Sequence, residues 1–145
     1  MSDRILYAWY VIGSIILSGL ILLFAVCAHA EEGIPIPVLT IAYESSDQPF
    51  EGQMAVAATI KSRMAQRHQT AEQVCLAPYQ FSCWKNGKPT QKRKLNQKEI
   101  DTAYVAWQSA IPWEYNHYCR WDSNPSWAKA AKKQLRLGQH IFYQL

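Results

Sequence analysis

From Ile5 to Ala28 the chain has no charged side chain, and this 24-residue run limits everything the rest of the sequence can build. As a helix rising about 1.5 Å per residue, it is long enough to cross a hydrocarbon core of about 30 Å. It follows a single basic residue, Arg4, and ends in Ala28-His29-Ala30 ahead of Glu31-Glu32, which has the small-x-small form of a signal-peptidase site. That ending favours a cleaved signal peptide. The length favours a retained anchor, because an ordinary signal peptide has only roughly 7 to 15 apolar residues. On both readings the membrane is a partner through this N-terminal helix, and the rest of the chain lies outside, anchored at the inner membrane or exported to the periplasm or cell wall. The expected organisation is residues 1–33 as signal peptide or signal anchor and 34–145 as one compact domain, too short for a second core.

That domain keeps Trp84, Trp107, Trp113, Trp121, Trp127 and six tyrosines, enough apolar surface to exclude a disordered chain. Residues 31–145, the part left by cleavage after Ala30, keep the formal +4 of the whole sequence, since Asp3 and Arg4 cancel. The excess is concentrated in Lys85, Lys88, Lys92, Arg93, Lys94 and Lys98. Such a surface suits an anionic polymer and does not choose among nucleic acid, lipid headgroups and wall glycans.

Ile34-Pro35-Ile36-Pro37 predicts a stiff, extended linker, because each proline disfavours helix at the residue before it. Val38 to Glu44 then reads as one or two helical turns, broken by Ser45-Ser46-Asp47. A core helix is expected from about Phe50 to Arg67, opened by Asp47 as cap and Pro49, with Val56, Ala57, Ile60 and Met64 at helical spacing. Thr70 with Gln73, and Asn96 with Glu99, have capping-box form and start a short turn and a longer helix that Pro112 ends. Asn86-Gly87 and Lys88-Pro89 mark residues 76–95 as a long loop or small hairpin. A last helix is predicted from the cap Asn124 through Trp127, Ala131 and Leu135 to Gly138, followed by a terminal strand at His140-Ile141-Phe142-Tyr143. The fold class is mainly α with a small β element.

The run Ile41-Ala42-Tyr43-Glu44-Ser45-Ser46-Asp47-Gln48-Pro49-Phe50-Glu51-Gly52-Gln53-Met54-Ala55-Val56-Ala57-Ala58 resembles the opening motif of the SleB-like cell-wall hydrolases, the family that includes spore cortex-lytic enzymes. Further blocks match in order: Tyr79-Gln80-Phe81-Ser82-Cys83-Trp84, then Asn116-His117-Tyr118, Asn124-Pro125-Ser126-Trp127-Ala128 and Gly138-Gln139-His140-Ile141-Phe142-Tyr143. The resemblance covers nearly all of residues 41–143 and implies a lysozyme-like or lytic-transglycosylase-like fold with its catalytic acid at a helix end. It departs from the family at Ser45-Ser46-Asp47-Gln48, where members usually carry Ala-Arg-Gly-Glu; an arginine is lost and an acid becomes an amide. In its glycine and serine content, the apolar segment also resembles the signal-anchor-release sequences of some phage endolysins.

The resemblance implies that Glu44 is a catalytic glutamate acting on peptidoglycan glycan strands at the bond between N-acetylmuramic acid and N-acetylglucosamine. One carboxyl group then does two jobs: it protonates the leaving oxygen and afterwards takes the proton of the muramoyl 6-hydroxyl. Ordinary glycosidases pair two carboxylates instead, so Glu51 or Asp47 as a partner would make the enzyme a hydrolytic muramidase. Glu51 also fits a simpler role, a negative charge in the first turn of a helix. Gln80, Ser82, His117 and Tyr118 are candidate substrate-binding residues, and His140 belongs with the apolar packing of the terminal strand. A wall amidase and a catalytically silent peptidoglycan-binding module are the competing functions.

Cys75, Cys83 and Cys119 fall in an exported, oxidising environment. Short spacing makes Cys75 with Cys83 the first candidate disulfide, leaving Cys119 free or available to Cys27. No metal and no cofactor is expected, because His68, His117 and His140 have no zinc-ligand spacing and no glycine-rich phosphate loop is present. Nucleic acid is not an expected partner, since an exported segment counts against it.

Overall fold

A computed structural model describes residues 33–145 of the chain. The apolar run, its cleavage signal and Cys27 lie outside the described residues. Among the described residues no helix is long and apolar enough to cross a membrane.

The first helix, α1, spans Ile36–Ser45, so the expected linker ends earlier than the prolines suggest. Pro37 is accommodated because a proline in the first turn gives up no intrahelical hydrogen bond. Val38, Ile41 and Ala42 of α1 are fully buried, and so are its polar members Thr40 and Ser45. Their hydroxyls are satisfied within the helix: Thr40 Oγ1 donates to the Ile36 carbonyl at 2.7 Å and Ser45 Oγ to that of Ile41 at 2.7 Å. A helix apolar on all sides has to be central. Accordingly α1 packs against α2 (Phe50–Arg67), the short α3 (Ala71–Leu76) and α4 (Gln97–Ser109).

Both capping boxes form as the sequence predicts, at Thr70 with Gln73 and at Asn96 with Glu99. At the start of α2 the cap position is Pro49 rather than Asp47, and no side chain caps the helix there. The expected hairpin pairs β1 (Trp84–Lys85) with β2 (Lys88–Pro89). Its turn has positive φ at both Asn86 (52°) and Gly87 (73°), the backbone that an Asn-Gly pair adopts most readily.

The C-terminal third departs from expectation. The predicted last helix is a 3₁₀ turn, Ser126–Ala130, followed by a strand, β4 (Lys133–Leu137). Gly138 closes no helix; with φ +57° it makes the tight turn into β5 (His140–Gln144). His117 and Tyr118, which fall between the helix that Pro112 ends and the helix predicted from Asn124, lie in a strand, β3 (His117–Arg120). The sheet order is β3-β5-β4, antiparallel throughout, so the terminal strand is the central one. Long-range pairing on both edges of β5 outweighs the spacing of Trp127, Ala131 and Leu135. Phe142 on β5 is fully buried and joins the sheet to the cluster formed by Val38, Ile41, Val56, Ile60 and Ala106.

Candidate active site

Glu44 occupies the last turn of α1, half-buried, at the point where the core helix meets solvent. Three donors hold its carboxylate. Oε1 accepts from the Cys83 N–H at 2.9 Å and from Ser82 Oγ at 3.1 Å, while Oε2 accepts from the Tyr118 hydroxyl at 3.2 Å. The donors come from the loop before β1 and from β3, so the carboxylate is fixed only when helix, loop and sheet are assembled together.

The carboxylate faces a cleft of about 360 Å³, lined by Tyr43, Asp47, Gln48, Gln80, Ser82, Gln91, Tyr118, Cys119, Arg120, Gln139 and His140 as well as Glu44. Tyr118 is supported from behind by Phe142, with ring centroids 5.4 Å apart, and by His140 at 5.1 Å. Burial pushes the Tyr118 phenol well above its ordinary pKa, and the neighbouring Glu44 charge pushes the same way. Tyr118 therefore remains a neutral donor. Burial lowers the pKa of His140, against an opposing pull from Glu44 and Asp47, and favours a neutral ring in the cleft wall.

Of the residues singled out from sequence, Glu44, Gln80, Ser82 and Tyr118 come together around the cleft. Gln80 is steadied by Arg67, whose guanidinium donates to its Oε1 at 3.0 Å. His117 is not among the lining residues. Alternation along β3 separates it from Tyr118, and it packs beside Trp127 at 5.3 Å with Nδ1 3.0 Å from Asn116 Oδ1. Glu51, exposed in the first turn of α2, borders a different, apolar groove with Met54, Ile111 and Trp113. Asp47 is the other acid in the cleft and accepts a bond from Gln48 Nε2 at 2.9 Å.

Three features of the site have no simple sequence signal. His140 enters the cleft wall through the register of β5, with Nδ1 buried and unpaired among the described residues. Gln48, where the resembling family carries an acid, accepts the Gln139 N–H at 2.8 Å and so ties the β4–β5 turn to the start of α2. Arg93 brings a guanidinium to the site of the missing arginine from a distant loop: it donates to Ser46 Oγ at 2.7 Å, pairs with Glu99 at 2.7 Å and lies over the Tyr43 ring. Only the folded chain brings positions 46 and 93 together.

The candidate disulfide between Cys75 and Cys83 is absent, and among the described residues Cys75, Cys83 and Cys119 are free thiols. Cys75 and Cys83 are both buried and both feel the Glu44 charge, Cys75 lying also beside Thr40. Desolvation pushes the Cys75 thiol up to about 11 and the Cys83 thiol further in the same direction, leaving both protonated and unreactive. Cys119 lies 3.8 Å from the Tyr143 hydroxyl. Among the described residues no three His, Cys, Asp or Glu side chains converge as a metal site.

The cell wall hydrolase family model matches residues 47–143, a stretch that begins just after Glu44. Among solved structures, the catalytic domain of the Bacillus cereus SleB protein is similar at 24% identity and a TM-score of 0.58, over 74% of this chain and 86% of that one. The catalytic domain of the germination-specific lytic transglycosylase SleB from Bacillus anthracis is similar at 24% identity and a TM-score of 0.59, over 74% of this chain and 90% of that one. No curated protein matches the chain. At this identity the two structures establish a shared fold, mainly helical with a small sheet, and the match over residues 47–143 establishes that the chain belongs to the cell wall hydrolase family.

Proposed function

We propose that the chain cleaves peptidoglycan glycan strands as a lytic transglycosylase, with Glu44 as general acid and then general base. The observation that carries this reading is a glutamate held by three donors at a cleft while the other candidate glutamate, Glu51, borders a separate groove. Protonated Glu44 gives its proton to the glycosidic oxygen as the bond to the muramoyl C1 breaks. The resulting carboxylate takes the proton of the muramoyl 6-hydroxyl, whose oxygen attacks C1 and closes a 1,6-anhydro ring. One bond breaks, one forms, and no water is consumed.

The donor pattern favours Oε2 as the atom that carries the proton. A backbone N–H such as that of Cys83 can only donate, so Oε1 remains an acceptor throughout. The Tyr118 hydroxyl on Oε2 can rotate to accept, which lets the proton come and go without breaking the cage. The apolar segment Ile5–Ala28 supports a site of action beyond the membrane, with the segment as leader or anchor.

A second reading, a hydrolytic muramidase, is favoured by Asp47 at the edge of the same cleft. Mass analysis of muropeptides released from purified peptidoglycan separates the two. Anhydro products, lighter by one water than reducing ends, are expected. Reducing ends would replace the transglycosylase with the muramidase, free stem peptides would indicate an amidase, and binding without release would indicate a silent module.

A further inference from the structure

The cleft at Glu44 adjoins another groove at Ser82. Ser82, which donates to the catalytic candidate, lines both that cleft and a second groove of about 530 Å³ running along the β1–β2 hairpin. Leu76, Phe81 and Trp84 give this groove apolar walls, Asn86 and Thr90 supply polar groups, and Tyr79 stands at its lip.

Tyr79 is hard to explain by folding alone. Its side chain is fully exposed, yet its backbone has φ +62°, a left-handed conformation that glycine, asparagine and aspartate tolerate and a tyrosine does not favour. A bulky ring held in solvent gains no burial to offset that strain. Strain of this kind, without a packing benefit, is a mark of a functional position. The adjacent turn is bonded, Gln80 N–H to the Ala77 carbonyl at 3.2 Å, which fixes the backbone that carries the ring beside the groove. Trp84 is equally preset: its Nε1 donates to Thr40 Oγ1 at 2.8 Å, and its ring meets that of Tyr43 at 6.3 Å.

We propose that this groove is a saccharide subsite, in which the strand whose scissile bond lies at Glu44 passes over Ser82 and the next sugar packs against Tyr79 and Trp84. The chemistry is complementary. A pyranose has an apolar C–H face that suits aromatic rings and a rim of hydroxyl and acetamido groups that suits Ser82, Asn86 and Thr90. The proposal rests on the glycan-cleaving function proposed above.

The test uses the full-length chain carrying Glu44→Gln, which removes turnover, and uncharged β-1,4-linked N-acetylglucosamine oligomers of increasing length, with binding measured by calorimetry. Affinity is expected to rise with length. Tyr79→Ala on that background weakens the longer oligomers about five- to tenfold. Tyr79→Gly weakens them to the same extent while its melting temperature stays equal to or above the parent's, because glycine relieves the left-handed backbone. Equal affinity of parent and both variants would overturn the proposal, as would a loss that only tracks a lowered melting temperature. If wild-type protein releases muropeptides but no oligomer binds, the subsite is wrong and the glycosidase stands. If oligomers bind through Tyr79 but no muropeptide is released, the subsite stands and the glycosidase is wrong.

Discussion

Replacing Gly138 by alanine separates two physical costs that the structure places on one residue. The first is backbone strain: at φ +57° an alanine is less favourable than glycine by about 1 kcal/mol. The second is steric. The new Cβ would stand 2.5 Å from Gln48 Oε1 and 3.2 Å from Pro49 Cδ, so the amide has to swing away. Gln139 N–H then loses its 2.8 Å bond, which costs about 1 kcal/mol, and up to about 2 more if the group finds no other partner. The expected loss is therefore about 2–4 kcal/mol. Gly87→Ala is the control, because Gly87 also has positive φ (73°) but a Cβ added there would meet no atom within 4 Å, leaving about 1 kcal/mol of strain alone. Urea midpoints at unchanged slope measure both losses. In a Gln48→Ala background the Gly138→Ala penalty should shrink toward that of Gly87→Ala, since the clashing amide is gone. Equal losses for the two glycines, or a Gly138 penalty indifferent to Gln48, would refute the proposed tie between the β4–β5 turn and α2.

Tyr118→Phe keeps the ring packing but removes the donor to Glu44 Oε2; turnover should fall about tenfold to a hundredfold with little change in melting temperature, measured by muropeptide release and thermal denaturation. Stability should fall as the pH drops through about 6.5, the ordinary histidine value, because unfolded His140 and His117 take up protons that their buried, lowered-pKa native forms resist. The unfolded chain binds more protons there, so the slope is positive in pH, and His140→Phe should flatten it in denaturation curves between about pH 7.5 and 5.5. Thiol labelling without reductant should find Cys75 and Cys83 unreactive in the native protein and fully reactive after unfolding; recovery of a peptide linking the two would contradict the structure.

The helical half of the molecule is legible in the sequence because its signals are local. Capping boxes at Thr70 and Asn96, the apolar spacing of α2 and the Asn-Gly turn each act within a few residues. The start of α1 is less legible, since prolines that suggest extended chain are also compatible with a first helical turn. Residues 124–138 read as helix and fold otherwise because both edges of β5 are partnered from a distance, and no local pattern records that pairing. The same limit applies to the site. Glu44, Ser82, Gln80 and Tyr118 sit in quotable motifs, whereas the approach of Arg93 to Ser46 and of Gln48 to Gln139 exists only in three dimensions.

The central claim is that the Glu44 carboxyl moves the proton. Full-length wild-type, Glu44→Gln and Glu51→Gln proteins, compared for peptidoglycan binding and for release of soluble muropeptides, test it most directly. Glu44→Gln is expected still to bind but to lose release by about a hundredfold or more, while Glu51→Gln stays within a few-fold of wild type. Undiminished release from Glu44→Gln would contradict the claim.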